Sequence, residues 1–165
     1  MCASLNPLLD HFQDLYAHMA WADACFFGQW ARSGLQQDPG LLQRMQHTTD
    51  VQGAFLMVLR GEAVQFPGEP DPVYPRLREL TRGHHRAFAE LLGALAPADL
   101  ARTVPVPWFP GRPCQVTVAE ALTQVAMHTQ HHRGQLMARL KDLGGQPQNV
   151  DFIIWAWQQR PQAQW

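Results

Sequence analysis

Between Val125 and Leu140 the chain reads VAMHTQHHRGQLMARL, with His128, His131 and His132 close together in a segment of helical periodicity. An unprotonated imidazole offers a lone pair that suits zinc, nickel, iron or copper. His128 and His132 stand at i and i+4, so their rings lie one above the other on a helix face and can converge on a point. That is the spacing of the histidine pair in HExxH metal sites. It equally suits two histidines that only form hydrogen bonds inside a core, and a third ligand is needed to separate the two readings.

Helical phase says which histidines to consider. An apolar row in steps of three and four runs through Val118, Leu122, Val125, Leu136, Leu140 and Leu143, and it closes if His128 and His132 fill the gap. His131 falls about 100° away, among Gln124, Met127 and Gln135. The expectation is that His128 and His132 point into the core and His131 does not. For the third ligand His47 is the best candidate, because it continues a row through Val51, Ala54 and Val58. His84 and His85 follow, with His84 on the apolar face of its segment, while His11 and His18 read as solvent or boundary residues. Asp50, one turn beyond His47, is the candidate proton acceptor or ligand support, against the alternative of a solvated carboxylate. Arg133 reads as a solvated charge more than as an anion-binding group. Gly134, costly by about 1 kcal/mol inside a helix, implies close approach of a ligand or of another helix.

Four helical segments must position these groups. The first runs from about Leu5 to Trp30, with Leu5, Leu8, Phe12, Leu15, Met19, Ala22, Phe26 and Trp30 in one stripe and Gly34 beyond it. Asp38 and Pro39 open a second, which ends near Arg60 and Gly61. Gly61–Pro75 carries four prolines and is too long for a simple reversal, as befits a connection running the length of a bundle. A third helix starts near Pro75 and ends before Pro97. The stretch ARTVPVPWFPGRPCQV leaves room for a short hairpin, against which its prolines argue. Thr117 and Glu120 form a capping box that opens the fourth helix, and Gly144-Gly145 closes it. The apolar run in NVDFIIWAW predicts a last turn or two packed on the bundle.

These residues resemble the DinB-like proteins (the DinB/YfiT superfamily). HTQHHRGQLMARLKDLGGQPQNVDFI is similar to that family's C-terminal signature, with His128, His132, Arg133, Gly134, Gln135, Gly144 and Asp151 at the matching positions. MQHTTDVQGAFLMVLRGE resembles the second helix, whose histidine, here His47, is the remaining metal ligand. HMAWADACFF resembles the first-helix segment, with Asp23 where asparagine is usual. The resemblance implies an all-α four-helix bundle in up-down-down-up order, with a long crossover between the second and third helices. It also implies a divalent metal on His47, His128 and His132 (zinc or nickel first, iron or manganese as alternatives), a homodimer and a bacterial stress-response setting. Relatives include S-transferases and isomerases that use a low-molecular-weight thiol, besides hydrolases.

Composition limits the alternatives. The 165 residues suit one domain, residues 1–165, and 46% hydrophobic with 16% charged residues marks a folded chain. A net charge of −1 without a basic stripe argues against nucleic acid as a partner. No apolar run approaches the roughly 20 residues of a membrane span. Cys2, Cys25 and Cys114 are scattered, with neither a disulfide framework nor a metal knuckle, and no secretory leader is evident, so a cytoplasmic location is expected. Three functions remain: a metal-dependent enzyme that activates a thiol or water for a small-molecule substrate, with Asp50 as proton acceptor; a non-catalytic metal- or ligand-binding stress-response protein; and a structural dimer with a vestigial site.

Overall fold

The computed structural model describes residues 6–65 and 71–165. Helix α1 spans Pro7–Ser33. It starts at the Asn6 cap, whose side chain accepts from the Leu8 and Leu9 backbone N–H groups, and Leu5 lies outside the described residues. Helix α2 spans Pro39–Arg60, with Asp38 capping it and Gly61 ending it in the left-handed conformation at φ 74°. Helix α3 spans Tyr74–Ala94, α4 spans Val118–Asp142 and the short α5 spans Phe152–Trp157.

Side-chain pairs give the directions of the four long helices. Tyr16 bonds the Leu122 carbonyl and Asp23 meets Arg133, so α1 and α4 run parallel. Thr49 meets Thr81 and Gly53 lies against His84, so α2 and α3 run parallel. Arg139 pairs with Asp38 while Gln52 bonds Thr129, so α2 and α4 are antiparallel. Tyr16 packs on Phe88 while Tyr74 bonds the Phe27 carbonyl, so α1 and α3 are antiparallel as well. This is an all-α bundle in up-down-down-up order. α2 ends, and α3 begins, at opposite ends of it, so the intervening chain has to cross its length; part of that crossover, residues 66–70, lies outside the described residues. The bundle packs α1 and α2 each against both α3 and α4, so α1–α2 and α3–α4 are the diagonals.

The proline-rich stretch does form a hairpin. Strand β1, Thr103–Val106, pairs antiparallel with β2, Cys114–Thr117, in the register Thr103↔Thr117 to Val106↔Cys114. The prolines that argue against strands are accommodated because a two-stranded ribbon has only edges, and Pro105 can turn its missing N–H away from the partner. Val104 and Val106 turn inward, and the hairpin lies against α2 and α4.

Apolar burial falls into three clusters. One joins Phe12, Tyr16, Phe55, Phe88 and Leu122; a second joins Phe26, Phe27, Trp30, Leu41 and Leu136; the third seats Trp155 of α5 against Trp21 and Ala22 of α1. Phe27 and Trp155 are buried, while Trp157 is exposed. His18 is buried too, contrary to its reading as a boundary residue. Its Nε2–H donates to the Val150 carbonyl at 2.7 Å and ties the tail to α1.

Two glycines, one inside α4 and one just beyond it, behave oppositely. A Cβ on Gly145 would meet the Leu140 side chain at 2.7 Å and its carbonyl at 2.9 Å, while a Cβ on Gly134 meets nothing within 4 Å. The close approach that the sequence suggested at Gly134 is thus absent among the described residues. Gly145→Ala should destabilise by about 1–3 kcal/mol through overpacking. Gly134→Ala should stabilise by up to about 1 kcal/mol through helix propensity. Urea denaturation of both variants checks the opposite signs.

Candidate metal centre

His47 of α2 and His128 and His132 of α4 come together on one side of the bundle. One ring nitrogen from each lies within 4.8 Å of the others. The ring centroids are 5.1 Å apart for His47 and His128, 4.8 Å for His47 and His132, and 4.4 Å for His128 and His132. The Nε2 atoms of His128 and His132 are 3.2 Å apart. Two nitrogens at about 2.0–2.1 Å from a tetrahedral zinc would be separated by about 3.3 Å, so the histidine pair already has the edge length of such a site. His131 stands outside the cluster, as its phase requires.

The histidines do not point into the core as expected. His47 is exposed, and His128 and His132 are half-buried in the groove between α2 and α4. The buried row of α4 runs through Val118, Leu122, Val125, Thr129, Arg133, Leu136 and Leu140. Both rows keep steps of three and four. Periodicity alone does not choose between them, and a threonine and an arginine look like surface residues. Likewise on α3 the buried residues are Leu77, Thr81, His85, Phe88 and Leu92, so His85 and not His84 faces the centre.

Arg133 is buried because Asp23 is. Its Nη1 lies 2.6 Å from Asp23 Oδ1, and His85 Nε2 lies 2.8 Å from Asp23 Oδ2. Gln52 Nε2 reaches both Asp23 Oδ2, at 3.5 Å, and Thr129 Oγ1, at 3.2 Å. One carboxylate on α1 therefore gathers a residue from each of the other three long helices. Burial alone would raise its pKa, but the Arg133 guanidinium and the His85 bond hold it below the usual carboxylate range. The reading of Arg133 as a solvated charge is corrected accordingly. Asp23, where the resemblance leads one to expect asparagine, is the acidic partner of this arginine.

The polar surroundings of His132 fix its tautomer. Gln135 Oε1 lies 2.8 Å from His132 Nδ1 and also takes a hydrogen bond from Arg44. A guanidinium can only donate, so this Gln135 atom is the amide oxygen and His132 Nδ1 carries the proton. The Nε2 lone pair is left facing His47 and His128. The Gln135 amide nitrogen donates to His131 Nε2 at 2.9 Å, so His131 contributes at one remove. Burial, followed by the neighbouring histidines, lowers the His128 pKa to about 4; burial also lowers that of His132. Both are thus unprotonated near neutral pH, as ligands must be.

Beside the triad a pocket of about 720 Å³ opens between α2, α4 and the hairpin. His47 and His128 line one part of it, with Val51 and Ala54 continuing the His47 row as its wall. Asp50 also lines it and accepts from Gln46 Nε2 at 2.9 and 3.1 Å. Asp50 thus faces the pocket. The hairpin supplies Val106, Trp108, Phe109, Cys114 and Val116. Nothing in the sequence placed these five beside the histidines, although the alternation of Val104 and Val106 was the one visible hint of a strand.

A family model for the DinB superfamily matches residues 30–136, and the chain belongs to that superfamily. No curated protein matches it. The matched stretch carries His47, Asp50, His128, His132 and Gln135. Family and cluster together are compatible with metal binding. No helix among the described residues is long and apolar enough to cross a membrane.

Two expectations follow. Removing one partner of a buried ion pair costs about 3–5 kcal/mol, so Arg133→Met and Asp23→Leu should each destabilise on that scale. The double variant should cost less than their sum, because neither charge is then left alone; a urea double-mutant cycle measures this. The second concerns acid. Burial lowers the His84 pKa to about 4, below the ordinary value near 6.5. As pH falls below about 6.5 the unfolded chain takes protons at His84 and His128 that the metal-free fold resists, and stability declines down to about pH 4. Asp23, with its lowered pKa, keeps its contribution above the ordinary carboxylate range and loses it only as pH falls through its folded value. Denaturation midpoints of chelated protein should therefore fall between pH 7 and 4.5, and His84→Gln should flatten that fall.

Proposed function

We propose that the protein is a metal-dependent enzyme in which His47, His128 and His132 hold one divalent ion, zinc or nickel before iron or manganese, for chemistry on a small molecule in the adjoining pocket. The observation that carries this reading is the convergence of three imidazole nitrogens on the edge of a pocket that also holds a carboxylate. Three neutral ligands leave a coordination position open, as in catalytic and not structural sites. When bound, such an ion lowers the pKa of a water or thiol towards neutrality. Asp50 accepts the proton released; its position on the pocket wall and the Gln46 bond to its carboxylate support this role. Gln135 keeps the proton of His132 on Nδ1, and the valines and aromatic rings of the pocket keep bulk water away from the reacting group. The nucleophile is a low-molecular-weight thiol, in an S-transferase-like reaction, or water, in a hydrolase-like one. Consumption of thiol together with an electrophile, dependent on metal, selects the former.

A homodimer belongs to the same proposal. Met127 of α4 and Ile153 and Trp157 of α5 are 67%, 70% and 76% exposed, which suits a face covered by a second copy. Sedimentation at micromolar concentration tests it, and a monomer alone overturns it.

For the metal, elemental analysis of protein purified without a nickel column is the direct experiment. Alanine at His47, His128 or His132 should each reduce the bound metal to a small fraction, and His131→Ala should leave it nearly unchanged. Gln135→Leu, which removes the acceptor from His132 Nδ1, should weaken metal affinity by about 10–100-fold. Equal loss from His131→Ala would overturn the ligand assignment.

A further inference from the structure

The polar network at the centre of the bundle leaves one nitrogen unused. His85 Nε2–H donates to the Asp23 carboxylate at 2.8 Å, so in the neutral ring Nδ1 keeps its lone pair. His85 is 6% exposed, and its Nδ1 is buried without a hydrogen-bond partner among the described residues. A buried acceptor of this kind calls for a donor. The same side chain lines a depression of about 260 Å³ between α1 and α3, on the side of the bundle opposite the α2–α4 groove that carries the triad. Ala20 of α1 and the indole of Trp165 form its walls, and the Trp165 ring lies 5.6 Å from the His85 ring, centroid to centroid. Arg82 and Arg86, one turn apart on α3, complete it from the solvent side. Arg82 shares Glu79 with Arg78, at 3.8 and 3.6 Å, and these pairs are exposed enough to hold it only weakly. No acidic side chain lines the depression among the described residues.

We propose that this depression binds inorganic phosphate: Arg82 and Arg86 hold its charged oxygens, and its remaining O–H donates to His85 Nδ1. Guanidiniums match the charge and geometry of phosphate oxygens, but they can only donate. An anion without a proton would leave Nδ1 unpaired, and a neutral donor such as an alcohol would gain nothing from the arginines. Inorganic phosphate answers both, since around neutral pH it is anionic and still carries a proton. Sulfate is anionic without one, and a phosphate monoester, whose second pKa is about 6, has lost its own at about pH 8. The bound O–H would continue a chain of hydrogen bonds that runs from His85 through Asp23 to Arg133, in which each bond polarises the next. The inference rests neither on the triad nor on any activity at it.

The experiment is isothermal titration calorimetry of the protein as purified with phosphate, sulfate and phenyl phosphate at about pH 8, where all three carry about two negative charges and only the first keeps an O–H. Phosphate should bind at a single site per chain with a Kd below about 1 mM, and sulfate and phenyl phosphate should bind about ten-fold or more weakly. Arg82 and Arg86 are exposed, so their replacement leaves the core intact. Arg82→Gln and Arg86→Gln should each weaken phosphate binding by about ten-fold, the loss of one charge-assisted hydrogen bond. The nitrogen NMR signal of His85 Nδ1 should shift on addition of phosphate and stay in place on addition of sulfate. Absence of phosphate binding, equal affinity for the three anions, or binding that survives the two arginine substitutions together would overturn the proposal. Phosphate also binds divalent ions, so the titration is repeated after the metal is removed. Unchanged affinity supports the α1–α3 site, and affinity lost with the metal overturns it. Elemental analysis of the same sample decides the triad reading separately, so either can fail while the other stands.

Discussion

A single buried carboxylate organises the bundle. Asp23 lies near the axis of the four long helices, where an ion in apolar surroundings is tolerated only if it is paired and fully hydrogen-bonded. The chain meets that demand by bringing Arg133 from α4, His85 from α3 and Gln52 from α2 to the same two oxygens. Each partner accepts only a narrow range of positions, so the ion pair sets the axial register of the helices more sharply than leucines and phenylalanines could, since those tolerate sliding. Arg133 follows His132 in sequence, and Thr129, bonded to Gln52, follows His128. The register that seats the ion pair therefore also sets the height at which α4 presents its two histidines to His47.

The centre is thereby divided between an inner and an outer face of α4. Inside, Thr129 and Arg133 belong to the polar network of the core. One residue earlier in each case, His128 and His132 emerge into the groove towards α2. A helix turn of about 100° per residue is what lets neighbouring residues serve structure and chemistry separately. The outer face is ordered further by Gln135, which links His132, Arg44 and His131, so the triad is backed by a bonded layer of its own.

The hairpin gives the site its shape. A four-helix bundle alone would leave the triad in a shallow groove between α2 and α4. The β1–β2 ribbon, held between the 3-10 turn at Pro97–Ala101 and the capping box at Thr117, brings Trp108 and Phe109 to that groove and deepens it into a pocket open on one side. Its two strands are short, and its Phe109 remains 56% exposed, as suits a wall that must admit a ligand.

The sequence by itself determined what depends on local rules. The helix starts at Asp38 and Thr117, the stops at Gly34, Gly61 and Gly144, the crossover after Gly61 and the packing of the last apolar run all follow from caps, backbone conformation and periodicity. So does the pairing of His128 with His132 and the exclusion of His131, because i, i+4 spacing and phase are properties of one helix. Only the tertiary structure decided which of two equally spaced rows on α4 faces the core, and it chose the one with Arg133 because Asp23, 110 residues away, needed a cation. It likewise decided that His85 and not His84 turns inward, that His18 is buried, that no other element among the described residues closes on Gly134 and that Pro105 sits in a strand. In each case the residue's own character argued one way, and a partner distant in sequence, or the lack of one, reversed it.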